Sequence, residues 1–439
     1  MKRKENNIKS SIYSKSIFAY VLLYILGSGC KLLGLELYLY PFIMLCFLFL
    51  LRISRSWYIT GTKKIWEFIV IFCLMLGYTQ LVNIICFQFS LNHTIKMCML
   101  VLLVIIIPYF VQEKQIVNRI WTTLIIGVTI SCCVAILQSI GLSLAVDIWH
   151  FKFCDNSERF YEIKDSLLSG RSAGLASYSL SLGFQIVQVF PVAFAGFFYK
   201  KRTKAIPFAL IYTGILFLGC IATGMRMAVL ICIFECALLI VLYHYDKREN
   251  VLKILMILII VLPALVVLEV EKGYFTTFIR RMGVLISGEG GDISVRLDNY
   301  IRVLKTLFEQ NPIHWLLGNG LNSYNDYKTI GKLGSAHNFI LGNLFEFGLI
   351  GMSLVGITYY KLLFWLNHFH KDILAVSMSV GIIGYLITAL TNDSTLLNGD
   401  LFHITFLVFT IMYLEVLQQE ENKERCKLIT PKNTKYSKK

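Results

Sequence analysis

Apolar residues along this chain fall into runs too long for a soluble core. Stretches approaching the ~20 residues that a helix needs to cross a bilayer recur at roughly 16–30, 36–51, 65–88, 96–111, 120–145, 173–199, 205–223, 226–244, 251–270, 337–360, 373–391 and 400–417. Polar residues gather instead in two long connections, Val146 to Ser172 and Glu271 to Ala336. The pattern predicts an all-α polytopic membrane protein with about twelve transmembrane helices and one long extracytoplasmic loop. N-terminal transmembrane helices occupy 1–145, a first extracytoplasmic loop 146–172 and central transmembrane helices 173–270. The long extracytoplasmic loop covers 271–336, C-terminal transmembrane helices 337–417 and a basic cytoplasmic tail 418–439. Within the long loop, Ile293 to Gln310 reads as an amphipathic helix, with Leu297, Ile301, Leu304 and Phe308 on one face. Asn311-Pro312 stops it and Gly318-Asn319-Gly320 makes a turn. Such a helix suits either the outer membrane surface or the cap of a cavity between spans.

Composition supports a bilayer: 56% of residues are hydrophobic and 16% charged, against about 45–50% and 25% in soluble domains. The net charge of +15 raises nucleic acid as a partner, but the placement of the charge argues otherwise. Fifteen lysines and arginines, among them Lys63, Lys64, Lys200, Lys201 and Arg202, fall on short connections of one side. Only Lys31, Lys96 and Arg226 fall on the other. By the positive-inside rule both termini are cytoplasmic, and no nucleic-acid partner is expected. The basic tails meet anionic membrane lipids instead. Lys2 to Lys15, followed by Leu26-Gly27-Ser28-Gly29-Cys30, imitates a signal peptide with a lipoprotein box. Gly27 stands where an aliphatic residue belongs and further spans follow, so this reads as an uncleaved first helix. Of twelve cysteines nearly all lie in apolar runs and none forms a CxxC, so neither disulfide nor zinc site is predicted.

Candidate chemistry collects at one mouth of the bundle. Ser335-Ala336-His337-Asn338 opens an apolar run where the long loop ends, with Ser335 as a plausible N-cap. A helix N-terminus attracts phosphates and disfavours imidazolium, so His337 there has the makings of a general base. The alternative is a histidine that only satisfies a hydrogen bond at a membrane interface. Arg226 sits in a break between two runs, Arg171 ends the first loop, and Arg280, Arg296 and Arg302 lie in the second. Singly, each could snorkel or be solvated. Together they offer guanidinium groups that grip phosphate oxygens in bidentate fashion and stabilise a departing diphosphate. Glu346 and Glu235 inside spans are either structural or functional carboxylates. Gln80, Asn83, Gln138 and Gln185 read as interhelical hydrogen-bonders. The loops hold no DxD, Walker, dinucleotide or GxSxG motif, so no metal or cofactor is expected. A transporter or flippase of lipid-linked oligosaccharide is the rival class, but no internal repeat supports it.

Four segments resemble the O-antigen ligase and polymerase family of bacterial surface-polysaccharide assembly. They are Ser169-Gly170-Arg171-Ser172-Ala173-Gly174-Leu175; Thr223-Gly224-Met225-Arg226, with Met225 in place of the family's serine; Val295 to Tyr300 with Asn311-Pro312 and Leu317 to Gly320; and His337-Asn338 with Glu346 to Gly351. The resemblance implies metal-independent glycosyl transfer at the outer face of the bacterial cytoplasmic membrane. The donor would be a polyprenyl-diphosphate-linked oligosaccharide. Arg171 and Arg226 would hold the diphosphate with Arg296 nearby, and Asn338, Arg302 and Arg280 would be further substrate-binding positions. His337 would be the catalytic base. The family contains repeat-unit polymerases and ligases, and a flippase and a chain-length regulator are possible assembly partners. Arg159 with Gly170 and Arg280 with Gly291 share a spacing that resembles a loop motif of some polymerases, so polymerase is the reading adopted and ligase its alternative.

Overall fold

The computed structural model describes residues 2–27, 30–32, 35–53, 62–110, 113–152, 161, 164–165, 167, 170–198, 205–244, 291–321, 323, 338–391, 396–397 and 400–429. The run at 251–270 lies outside the described residues, as do Arg280 and His337. The helices are α1 (Lys2–Gly27), α2 (Leu39–Ile53), α3 (Lys63–Ile85), α4 (Leu91–Phe110), α5 (Lys114–Ser139), α6 (Ser143–Lys152) and α7 (Ser179–Phe194). They continue as α8 (Ala205–Ala222), α9 (Arg226–His244), α10 (Gly291–Glu309), α11 (Pro312–Leu317), α12 (Phe339–His368), α13 (Ile373–Ala389) and α14 (Leu401–Ile429). A short antiparallel ladder pairs β1 (Lys31–Leu32) with β2 (Leu35–Glu36). Among the described residues α3, α4, α5, α12 and α14 are long and apolar enough to cross a membrane, and apolar segments of α1, α2, α7, α8 and α13 are shorter. The protein is a multi-pass membrane protein.

Burial sorts these helices. In α14, 94% of the apolar window is buried, against 44% in α3 and in α12. A helix apolar on all sides belongs in the middle, and α14 packs against α4, α5, α7 and α13. Its polar residues bond inward. His403 is fully buried, with Nδ1 2.7 Å from Gln188 Oε1 on α7 and Nε2 2.6 Å from the Tyr359 hydroxyl on α12. An amide oxygen only accepts, so Nδ1 carries the hydrogen and Nε2 accepts from Tyr359. The Tyr385 ring of α13 stacks on the imidazole at 3.6 Å between centroids. Four helices are thus pinned through one ring.

At the far end of α14 the charged residues gather. Glu415 accepts from the Thr62 amide at 2.8 Å and from its hydroxyl. Lys64 reaches Gln418, Lys114 pairs with Asp372 at 3.3 Å, and Lys361 pairs with Glu67. The opposite end of the bundle carries the turn after α3, the loop before α7, the start of α9 and the hairpin of α10 and α11.

The helix α12 is broken. Gly348 has φ 61° and ψ −169°, so the helical ladder stops and resumes around it. In a bilayer, carbonyls released by such a break need partners from protein. Each finds one. Phe345 O accepts from Asn319 N at 3.0 Å, Glu346 O from Gly320 N at 2.8 Å, and Phe347 O from the Tyr78 hydroxyl at 2.8 Å. The approach is so close that a Cβ on Gly348 would lie 2.4 Å from Leu316 O, and one on Gly318 2.3 Å from Glu346 O. Both glycines also hold positive φ, which side chains resist. Replacing Gly348 with alanine should cost several kcal/mol through backbone strain and the clash together. A large fall in the detergent melting temperature would show it, whereas an unchanged midpoint would mean that the turn does not lock against the break.

Candidate functional site

The segment that carries Arg171 is joined by its backbone to the end of α8, four residues before Arg226. Arg171 lies in the non-helical stretch before α7, which starts at Ser179 rather than at the expected 173 because residues 171–178 are held by other elements. Gln138, buried near the end of α5, accepts from Gly174 N at 2.9 Å and donates to Ala145 O at 3.0 Å and to Gly174 O at 3.3 Å. Ser131 Oγ accepts from Leu175 N at 2.9 Å. Gly174, at φ +57°, approaches so closely that a Cβ would fall 2.2 Å from Ser131 O. Ser172 N donates to Ala222 O, the last residue of α8, at 3.0 Å. Four residues after Ala222 comes Arg226, the first residue of α9. Both arginines are half-buried.

The turn into α9 shows how Met225 is accommodated. Thr223 Oγ1 donates to Cys220 O at 2.7 Å and accepts from Met225 N at 3.2 Å, with Gly224 at φ +66° between them. Met225 is buried against α7, where Gly183 leaves room: a Cβ there would lie 2.4 Å from Met225 Sδ. A methionine at this place brings no capping oxygen to the first N–H groups of α9.

A second cluster joins α10, α11 and α12. Val303 and Leu307 of α10 bury against Phe345 of α12, with Trp315, Leu341 and Leu344 around them. Trp315 Nε1 donates to Leu307 O at 2.7 Å, and Asn319 Nδ2 donates to Gln310 Oε1 at 3.1 Å. Asn338 is the N-cap of α12, its Oδ1 accepting from Ile340 N at 2.9 Å and Leu341 N at 3.2 Å. This corrects the expectation of Ser335 as the cap: the helix begins at Phe339, and its first N–H groups are taken by Asn338. Arg302 is exposed on α10; Arg296 lies on the same helix, and its side chain is outside the described residues. The structure therefore joins the Arg171 segment to the end of α8 just before Arg226, and Asn338 caps the helix that packs against the α10 hairpin.

Several residues were passed over or only partly assigned in the sequence reading. Gln80 does bridge helices, accepting from Thr94 Oγ1 at 2.7 Å. Asn83 also meets a neighbouring helix, its Nδ2 3.5 Å from His93 Nδ1 on α4, and its Oδ1 in addition accepts from Leu321 N at 2.9 Å; Gln138 bonds Ala145 O on α6 as well as the loop before α7. Tyr78 reaches Leu317 O at 2.9 Å as well as Phe347 O, donating to one at a time. Asn343 is fully buried in α12, and neither side-chain atom finds a partner among the described residues. A lone asparagine in an apolar run was the available signal for it. Beside this cluster, the Cys86 thiol lies 3.9 Å from Gly318 O. Among the described residues no group of three or more histidine, cysteine or acidic side chains is placed to hold a metal.

Replacing Gln138 with leucine should strand the buried Gly174 amide, at a cost of ~1–3 kcal/mol. Hydrogen exchange at Gly174 and Leu175 should then accelerate about tenfold or more while the body of α5 stays protected. Equal protection in the variant would show that the amide does not hold the Arg171 segment.

A comparison with curated proteins gives no match. A family model does match, over the stretch from within α8 to just past the middle of α12. It takes in Arg226, Arg280, Arg296, Arg302, His337 and Asn338, and it leaves Arg171 outside. The interlocked turn at Gly318–Gly320 and the break at Gly348 both fall within it. The match agrees with the resemblance carried by the sequence segments. The family whose pattern residues 211–356 match is O-antigen ligase.

Proposed function

We propose that the protein is a polysaccharide repeat-unit polymerase of the bacterial cytoplasmic membrane. The end of the bundle that carries Arg171 and Arg226 faces away from the cytoplasm, and both termini lie inside. The donor is a glycan on a polyprenyl diphosphate, whose tail runs in the bilayer; the acceptor is a second lipid-linked repeat. The observation that best supports this reading is the hydrogen bond from Ser172 N to Ala222 O, which sets two arginine-bearing segments side by side. Two guanidinium forks at one place suit a diphosphate better than a single phosphate. The start of α9 at Arg226 adds a helix dipole favourable to the same anion.

In the reaction a hydroxyl oxygen of the acceptor bonds to the anomeric carbon of the donor. The bond from that carbon to the diphosphate oxygen breaks, and polyprenyl diphosphate departs with its electron pair. His337 takes the hydroxyl proton, while Arg171 and Arg226, with Arg296 nearby, stabilise the charge on the leaving group. Asn338 keeps His337 at the head of α12 through its cap, and Arg302 and Arg280 meet the glycan or its diphosphate from the loop. No metal is required in this scheme. A flippase that delivers the donor and a chain-length regulator are the partners that such an enzyme implies. The matched family's description favours one second reading, transfer to a lipid or protein acceptor by a ligase.

Purified protein supplied with lipid-linked repeats should lengthen them without any membrane gradient. His337→Ala should lower extension about 100-fold or more, with the protein still inserted in the membrane. Wild-type polymer length in that variant would remove His337 from the chemistry, and no extension by the intact protein would favour a transporter. Label that moves only to an added non-repeat acceptor would favour the ligase. Arg226→Lys should slow turnover at least about tenfold, because a point charge lacks the bidentate grip; an unchanged rate would count against diphosphate binding there.

A further inference from the structure

The surface of α10 divides into three arcs: one buried against α12, one charged and exposed, and one apolar and more than half exposed. At ~100° per residue, Asn299, Val303 and Leu307 share one arc, which is buried against α12. Asp298, Arg302, Lys305 and Glu309 share a second, all exposed, with Lys305 and Glu309 paired at 3.8 Å. The third arc, about a quarter turn from the charged one, holds Leu297, Ile301 and Phe308, which are 57%, 55% and 71% exposed. Ile313 and Leu316 of α11 are also more than half exposed. An apolar face this open marks a site of contact with lipid or another apolar surface.

Its position says what covers it. The Tyr78 hydroxyl of α3 contacts the carbonyls of Leu316 and Leu317, and the Cys86 thiol just past the end of α3 contacts Gly318 O. So α11 sits at the level where a membrane-crossing helix ends. The outward residues there are themselves bare and apolar: Leu81 and Ile84 on α3, then Phe87 and Phe89 in the turn, and Leu349 on α12 just past its break. The apolar arc of α10 shares its chemistry with this exposed belt and is joined to it through α11, while its charged arc is separately exposed.

We propose that the Leu297–Ile301–Phe308 face of α10, extended by Ile313 and Leu316, docks into the acyl-chain region of the adjoining leaflet. The helix then lies along the membrane plane, half in lipid. Trp315, whose ring meets Phe308 at 4.9 Å, is the kind of aromatic residue that favours this boundary. The docking fixes the depth of the α10–α12 cluster and of Asn338 relative to the headgroups. It stands whether or not the arginines bind a diphosphate.

The test uses the full-length protein in lipid discs and single tryptophans at Ile301, Phe308 or Lys305, read as difference emission over the wild type. All three positions are exposed, so tryptophan fits without a clash. Emission from Ile301→Trp and Phe308→Trp should fall by about half in discs of acyl-brominated phosphatidylcholine and resist aqueous iodide. Lys305→Trp should show the reverse. Iodide quenching of all three alike would place the face in water and overturn the proposal. Quenching of Ile301→Trp and Phe308→Trp by neither agent would overturn it too, since the face would then be covered by protein, either residues 251–270 or a second copy.

Discussion

The break in α12 at Gly348 is the feature on which the rest of this end of the molecule depends. A bilayer tolerates no unpaired carbonyl, and the break releases three of them, at Phe345, Glu346 and Phe347. The turn at Asn319 and Gly320 and the hydroxyl of Tyr78 take one each. Because those donors come from the loop and from α3, satisfying the backbone fastens the α10–α11 hairpin to the bundle. Glycine at 318 and at 348 lets the two backbones approach closely enough for this.

The loop before α7 obeys the same logic with different parts. Its backbone groups are met by Gln138 and Ser131 on α5 and by the end of α8. Buried amides and hydroxyls thus hold both irregular segments, while the candidate reactive residues lie on or beside them. The arginines are placed by backbone bonds that their own side chains do not make.

Much of the bundle could be read from the pattern of apolar residues. The runs at 205–223, 226–244 and 373–391 correspond closely to α8, α9 and α13, and the loop helix expected at 293–310 is α10. Composition and run length decide such features locally. What stayed hidden depends on distant partners. Nothing near Gly348 says that its helix breaks, because the donors that permit the break lie at Tyr78 and Gly320. The start of α7 was placed too early for a similar reason, since Gln138 and Ser131 keep residues 171–178 from coiling. For the site, the Arg171 segment meets the end of α8, just before Arg226, through a backbone bond between positions about fifty residues apart. Asn338 was read as a ligand position, and its side-chain oxygen is engaged by the helix it opens.

The seating of α14 has a bearing on how the molecule is assembled. This helix fills the interior, yet it is made after every helix it touches. Until it arrives, α4, α5, α7 and α13 must wait in the membrane with a vacancy between them, and Gln188 and Tyr359 must wait without their imidazole. Closure of the bundle is therefore a late step, set by the insertion of one segment, and loss of that segment would leave its neighbours without a common centre.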